Sequence, residues 1–348
     1  MEDHSAVSIL TIEELQQFPL LDLVEKVFVN AIKSNDLVFV EDKDSDIEIY
    51  KKQRLVYYFK IINALAVRPV NRKSDDEEAN KAKNPFSKND PLLTVVENLL
   101  STHKILLNKY PNIRDHFLMV TRDFIKQDTL LSIDELFTMF TILNNLNKSS
   151  NDRFFSFFNS GLQSGYSQIH KHIQFLSLPY YKDDDNDEKL VQFRTFFDDF
   201  IDASSDYNTD MVPLTFHDVA FKHFILPLPK LKIKITSKIL LEIYNKLLIS
   251  TLNFFKAKKI AKDEDELLTK QLELNPNISY NYIMTEEYMV IIPRIATNFN
   301  DCWANSLQFL GLFSARNEEV KQKILKIGFE TYLSKVGFPN DKIDYYKL

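Results

Sequence analysis

Glycine is scarce in this chain: there are five in 348 residues, and two of them, Gly161 and Gly165, stand just ahead of the core His170-Lys171-His172-Ile173-Gln174. With so few residues able to adopt positive φ or let the backbone approach a ligand closely, this segment restricts the fold more than any other. If the core is extended, its period of two puts His170, His172 and Gln174 on one face and Lys171, Ile173 and Phe175 on the other. The outcome is a row of two imidazoles and an amide at the end of a polar loop that starts at Asn159.

Strand and helix signals elsewhere are mixed. Thr11 and Glu14 stand at capping-box spacing before a helical stretch to Lys33 that Pro19 divides. Ser132 and Glu135 repeat the signal before a helix to Leu146. Residues 238–258 have an amphipathic helical period, and residues 318–336 read as a helix weakened by Gly328. Strands are expected at residues 38–40, 55–59, 104–109 and 117–121, within 219–228, and in the pair 280–284 and 288–293. Strands and helices without regular βαβ alternation favour an α+β fold. One catalytic domain over residues 1–348 is expected, with polar loops near 72–84 and 182–188.

The charge balance excludes some partners. With 43 basic and 49 acidic residues the net charge is -6, so nothing global attracts nucleic acid or an anionic membrane. No apolar run approaches the roughly 20 residues of a membrane span. Cys302 has no second cysteine to pair with, and the acidic N-terminus lacks a secretion-signal pattern, so a cytoplasmic protein, also nuclear, is expected.

Three readings of the His-x-His-x-Gln core are open. The histidines could be packing residues of a strand. They could ligate a metal, although residues 175–182 supply no further ligand. Or one imidazole could attack phosphorus: its neutral form is a nucleophile near pH 7 when the second ring nitrogen is protonated and held. The glycines, with Ser164, Ser167, Gln168 and Gln174 as neutral donors, could cradle phosphate oxygens. That third reading accounts for the whole segment, the first only for the histidines.

The segment Asn159-Ser160-Gly161…Ser164-Gly165…Ser167-Gln168…His170-Lys171-His172-Ile173-Gln174 resembles the signature of the fungal diadenosine tetraphosphate phosphorylases (ATP adenylyltransferases). These belong to the transferase branch of the histidine-triad superfamily, alongside galactose-1-phosphate uridylyltransferase. Further pieces resemble the family in its order, among them Ala66-Val67-Arg68-Pro69, Asn84-Pro85-Phe86, Asn108-Lys109-Tyr110-Pro111, Asp115-His116-Phe117, Phe221-Lys222-His223, Ser279-Tyr280-Asn281, Ile292-Pro293-Arg294 and Gly337-Phe338-Pro339-Asn340.

The resemblance implies a histidine-triad-like antiparallel sheet flanked by helices. It implies that His172 takes AMP from a dinucleoside polyphosphate as a histidine-AMP intermediate, which phosphate then converts to ADP, with ATP as the other product. His170 would support the site, and Gln174 stands where the superfamily's hydrolases carry a third histidine. Substrate contacts are implied for Arg68, Asn108, Lys109, Asn159, Gly165, Tyr166, Ser167, Gln168, Asn305, Ser306, Leu307, Leu312 and Arg316. Arg68, Leu307, Leu312 and Arg316 depart from the usual residues, as does the bulky Tyr166. A divalent cation, Mg2+, would accompany the nucleotide, and a monomer is expected. Transfer to another acceptor, such as sulfate or a sugar phosphate, and nucleotide binding without turnover are the alternatives. His116 and His223 read as structural, and Trp303 as core or pocket lining.

Overall fold

The computed structural model describes residues 8–39, 47–62, 84–87, 90–183, 189–203, 211–229, 234–258 and 278–340. Arg68 and nearly all of the polar loop at 72–84 lie outside the described residues.

Both capping boxes form. Thr11 Oγ1 accepts from the Glu14 amide at the start of α1 (Ile12–Leu15), and Pro19 separates it from α2 (Leu20–Lys33). Residues 38 and 39 are not a strand; the Val38 amide instead donates to the Lys109 carbonyl at 3.0 Å. β1 (Ile47–Lys52) and β2 (Leu55–Ile61) make a hairpin. Then come β3 (Thr94–Leu99), β4 (His103–Leu107) and β5 (Phe117–Thr121). Ser132 and Glu135 cap α3 (Ile133–Ser149) reciprocally.

β6 (Phe154–Ser160) is an unbroken aromatic strand, and β7 (His172–Ser177) carries the second histidine of the core. Of the polar break near 182–188, Lys182 and Asp183 belong to β8 (Tyr180–Asp183), which pairs with β9 (Lys189–Gln192); residues 184–188 lie outside the described residues. α4 (Asp198–Ala203) follows, then β10 (Phe224–Pro227), shorter than the expected span. α5 (Ser237–Ala257) precedes β11 (Tyr280–Met284) and β12 (Tyr288–Pro293), both with the expected limits. β13 (Asn298–Phe299) and β14 (Cys302–Trp303) form a small hairpin before β15 (Leu312–Ala315). The C-terminal helix breaks at Gly328, φ +83°, into α6 (Glu318–Ile327) and α7 (Phe329–Val336).

Eight strands form one antiparallel sheet in the order β10-β12-β11-β6-β7-β5-β4-β3. Period-two alternation sorts its side chains. Met119, Ile173 and Phe175 face a core capped by α2, α3 and α5, where Leu136, Met139, Leu240 and Leu247 are fully buried. On the opposite face, Phe155, Phe157, Ile283 and Val290 pack under the three-stranded sheet β1-β2-β15 and under α7. Among the described residues that cover stops short of β5 and β4, where Leu106, Leu118 and Val120 pack with Phe86. This part of the sheet, uncovered by either layer among the described residues, is where the motif side chains emerge.

Candidate active site

His172 and Gln174 project from β7 onto this uncovered part. Register sets them opposite Val120 and Leu118 of β5. On the other side, β6–β7 pairing ends at Phe157 and Gln174, short of His172. The gap is filled by the side-chain amide of Gln127, which is 1% exposed. Its Nε2 donates to the Asn159 carbonyl at 2.9 Å and the His172 carbonyl at 3.1 Å, and its Oε1 accepts from the His172 amide at 2.8 Å. Gln127 thus acts as a substitute for a missing strand peptide, holding the backbone of His172. Local sequence carries no signal for it. We expect Gln127→Leu to lower kcat by on the order of ten- to a hundredfold through misplacement of His172. Steady-state kinetics alongside a denaturant titration check this, since the loss in kcat should exceed any loss of folded protein.

The His172 ring has a defined tautomer. Nδ1 donates to the carbonyl of His170 at 2.8 Å, so in the neutral ring the proton sits on Nδ1 and Nε2 carries the lone pair. His170 serves through that carbonyl, and its own imidazole is an anchor. Its Nδ1 accepts from the Asn84 amide at 2.8 Å, and its Nε2 donates to the Asp123 carbonyl at 3.0 Å, with Thr121 Oγ1 at 2.9 Å. Burial holds its pKa below the ordinary histidine value, so this ring is neutral and does not supply charge. Phe86 packs against both rings, with centroids 5.7 Å from His170 and 5.5 Å from His172.

Gln174 is held in turn. His116 Nε2 donates to Gln174 Oε1 at 3.0 Å, leaving the Gln174 NH2 as the donor end of the amide. Asn108 Nδ2 lies 3.3 Å from the His116 ring. His116 therefore lines the site and positions Gln174, more than the structural role read for it. Alternation with Leu118 on β5 was the available signal. His223 is structural as expected: its ring spans Phe221 and Phe216 backbone groups at 2.9 Å each.

Around these groups lies a cleft of about 400 Å³. Pro85, Phe86, Leu93, Leu106, Leu118 and Tyr110 give it an apolar lining, with Phe86 beside His172 and Leu118 beside Gln174, and Gly165, Ser167, Gln168 and Asn305 form a polar end. Asn108, Lys109 and Asp90 line it as well. A smaller hollow of about 250 Å³ near Arg54, Tyr181 and Arg194 contains none of the motif residues.

Other expected contacts are placed differently. Asn159 is buried behind the polar end; its Oδ1 accepts from Asn281 and from Ser306, both at 2.6 Å, while its Nδ2 has no hydrogen-bond partner. Tyr166 is buried and outside the cleft lining. Leu307 and Leu312 point into the aromatic core under β2, and Arg316 is exposed. The structure does not bring these three to the cleft: Leu307 and Leu312 are taken into apolar packing, and Arg316 lies on the surface. Trp303 is neither core nor lining; it is 64% exposed on the β13–β14 hairpin.

Gly165 has φ +84°, and a Cβ there would meet the Ala304 carbonyl oxygen at 2.1 Å. Only glycine lets the two walls of the polar end approach this closely. Among the described residues, no group of three or more His, Cys, Asp or Glu side chains is arranged to hold a metal.

A histidine whose Nδ1 is committed to a backbone carbonyl, set on an antiparallel sheet in the wall of a nucleotide-sized cleft, defines a histidine-triad-like nucleotidyltransferase site. Residues 11–189 match the family model of the Ap4A phosphorylase N-terminal domain, and residues 217–339 that of the ATP adenylyltransferase C-terminal domain. The chain belongs to the Ap4A phosphorylase family, and it is a nucleotidyltransferase. Diadenosine 5',5'''-P1,P4-tetraphosphate phosphorylase 2 of Saccharomyces cerevisiae is 29% identical over 300 residues, 82% of this chain and 84% of that protein. Protein APA1 of the same yeast is 28% identical over 335 residues, 92% and 95% of the two chains. The crystal structure of yeast Ap4A phosphorylase Apa2 has a TM-score of 0.74 at 26% identity, covering 92% of this chain and 98% of that one. The same enzyme in complex with Ap4A has a TM-score of 0.71 at 25% identity.

Proposed function

We propose that the protein phosphorolyses diadenosine tetraphosphate to ATP and ADP by reversible adenylyl transfer through His172. The observation that carries this is the tautomer of His172, with its Nδ1 committed to the His170 carbonyl and its ring in the cleft wall. The apolar lining of the cleft suits a purine base, and its polar groups suit the phosphates. Nε2 attacks the α-phosphorus; the N–P bond forms as the bond to the β-bridging oxygen breaks, and ATP leaves. An oxygen of inorganic phosphate then attacks the phosphorus, the N–P bond breaks, and ADP forms. Gln174, held by His116, and the amides near Gly165 donate to the non-bridging oxygens during both steps. Magnesium enters with the polyphosphate as part of the substrate.

Incubation with diadenosine tetraphosphate and inorganic phosphate should yield ATP and ADP in equal amounts, read by chromatography. Phosphate-independent release of ATP and AMP would instead make water the acceptor and overturn the phosphorylase reading.

A further inference from the structure

Arg294 is 1% exposed, and every N–H of its guanidinium meets a neutral acceptor. Nε donates to the Val336 carbonyl at 3.0 Å. Nη1 donates to the Ser164 carbonyl at 3.0 Å and to Asn281 Oδ1 at 2.5 Å. Nη2 donates to the carbonyls of Ala296 at 2.7 Å and Ala304 at 3.2 Å. The guanidinium also lies over the Phe309 ring, 4.9 Å from its centroid. No carboxylate among the described residues pairs with it, which is unusual for a buried charge. Burial pulls its pKa down to about 9.

Two of those carbonyls belong to the residues just before Gly165 and Asn305, which form the polar end of the cleft. The Ser164–Gly165 peptide is trans, so its N–H points opposite to its C=O. With the carbonyl turned to Arg294, the Gly165 N–H points away from the guanidinium; Gly165 lines the cleft, and its N–H makes no hydrogen bond among the described residues. Asn281 extends the same network, since its Nδ2 donates to Asn159 Oδ1 and to the Ser164 carbonyl. Two buried groups of this network, Asn159 Nδ2 and Ser164 Oγ, also have no partner. A buried cation behind a loop that lines the cleft is suited to a polyanionic ligand.

We propose that Arg294 is a positioning residue for nucleotidyl transfer: it orients the Gly165 N–H toward the transferred phosphoryl group, and the bound polyphosphate balances its charge. This rests on the nucleotide reading of the cleft. Arg294 is not among the residues that line the cleft, so it acts from behind the loop.

The test uses the small number of glycines. In protein labelled with 15N-glycine, the five glycines give few amide signals, and the Gly165 signal is assigned by its loss in Gly165→Ala. In the wild type, ATP should move the Gly165 amide strongly downfield. Arg294→Lys keeps a charge but loses the planar fork; it should reduce that shift and lower the single-turnover rate constant of His172 adenylylation. Arg294→Ala should lower this rate constant by on the order of a hundredfold, with partial rescue by millimolar guanidinium. A rate constant measured in single turnover is independent of the folded fraction, so a merely structural arginine would leave it unchanged. A Gly165 amide that ignores ATP in the wild type, or an Arg294→Lys enzyme that adenylylates at the wild-type rate, would overturn the proposal. Failure of the wild type to cleave diadenosine tetraphosphate would count against the proposed substrate only, because the ATP-induced shift is read without it.

Discussion

An enzyme carrying His172→Ala should form no adenylylated intermediate and lose turnover by on the order of ten-thousandfold or more, as expected when a covalent nucleophile is deleted. The size follows from the chemistry. No other described nucleophile lies on this row: the nitrogens of His170 are committed to Asn84 and Asp123, and Gln174 is an amide. Mass analysis of protein mixed with diadenosine tetraphosphate without phosphate should find one added AMP on the wild type and none on the variant. The adduct is an acid-labile phosphoramidate, so the quench should avoid low pH. Because His172 has an ordinary strand backbone held by Gln127, the variant should fold normally. Retained adenylylation would place the nucleophile elsewhere.

The largest expected stability effect lies directly behind the catalytic row. Lys171, between the two histidines, points the other way and is 3% exposed. Its Nζ donates to Glu135 at 2.8 Å and to the Leu130 carbonyl at 2.8 Å. Burial alone would raise the Glu135 carboxyl, but His103, Lys171 and the Ser132 amide hold it at about 2. Lys171→Met should therefore destabilise the fold by about 3–5 kcal/mol, since it leaves a buried carboxylate without its cation. The double variant Lys171→Met, Glu135→Met should recover most of that loss. Urea titrations of the wild type, Lys171→Met, Glu135→Met and the double variant give the comparison.

The pH dependence has a definite sign. In the wild type the Glu135 pKa is depressed on folding, so its contribution is complete above the ordinary carboxylate range and is lost as pH falls from about 4.5 toward about 2. In Lys171→Met the burial effect dominates and the folded-state pKa rises instead. The folded variant then takes up a proton before the unfolded chain does, so the deficit against wild type should shrink between pH 7 and pH 5. A deficit that is flat or larger at pH 5 would show that the lost contact is packing alone.

Much of this site can be read from local sequence. Alternation places His172 and Gln174 on one face and Ile173 and Phe175 on the other, since strand geometry imposes it whatever the surroundings. Both capping boxes, and the limits of β11 and β12, are equally local. Residues 38 and 39 show the weakness of composition, because β-branched and aromatic content does not supply a pairing partner. Lys171 shows another weakness: alternation gives its direction, but the buried partner comes from α3.

Chain-local chemistry, then, settles the row of side chains and its faces. Packing of distant elements settles which side chains meet the cleft. Gln127 reaches His172 only because β6 and β7 part, and His116 reaches Gln174 only through the β5–β7 register. Arg294 reaches Ser164 only because β12 ends beneath the glycine loop, while Leu307 and Leu312 turn into the aromatic core. The reason is physical: a period of two is set by the backbone of one strand, whereas convergence depends on which faces the rest of the chain leaves uncovered.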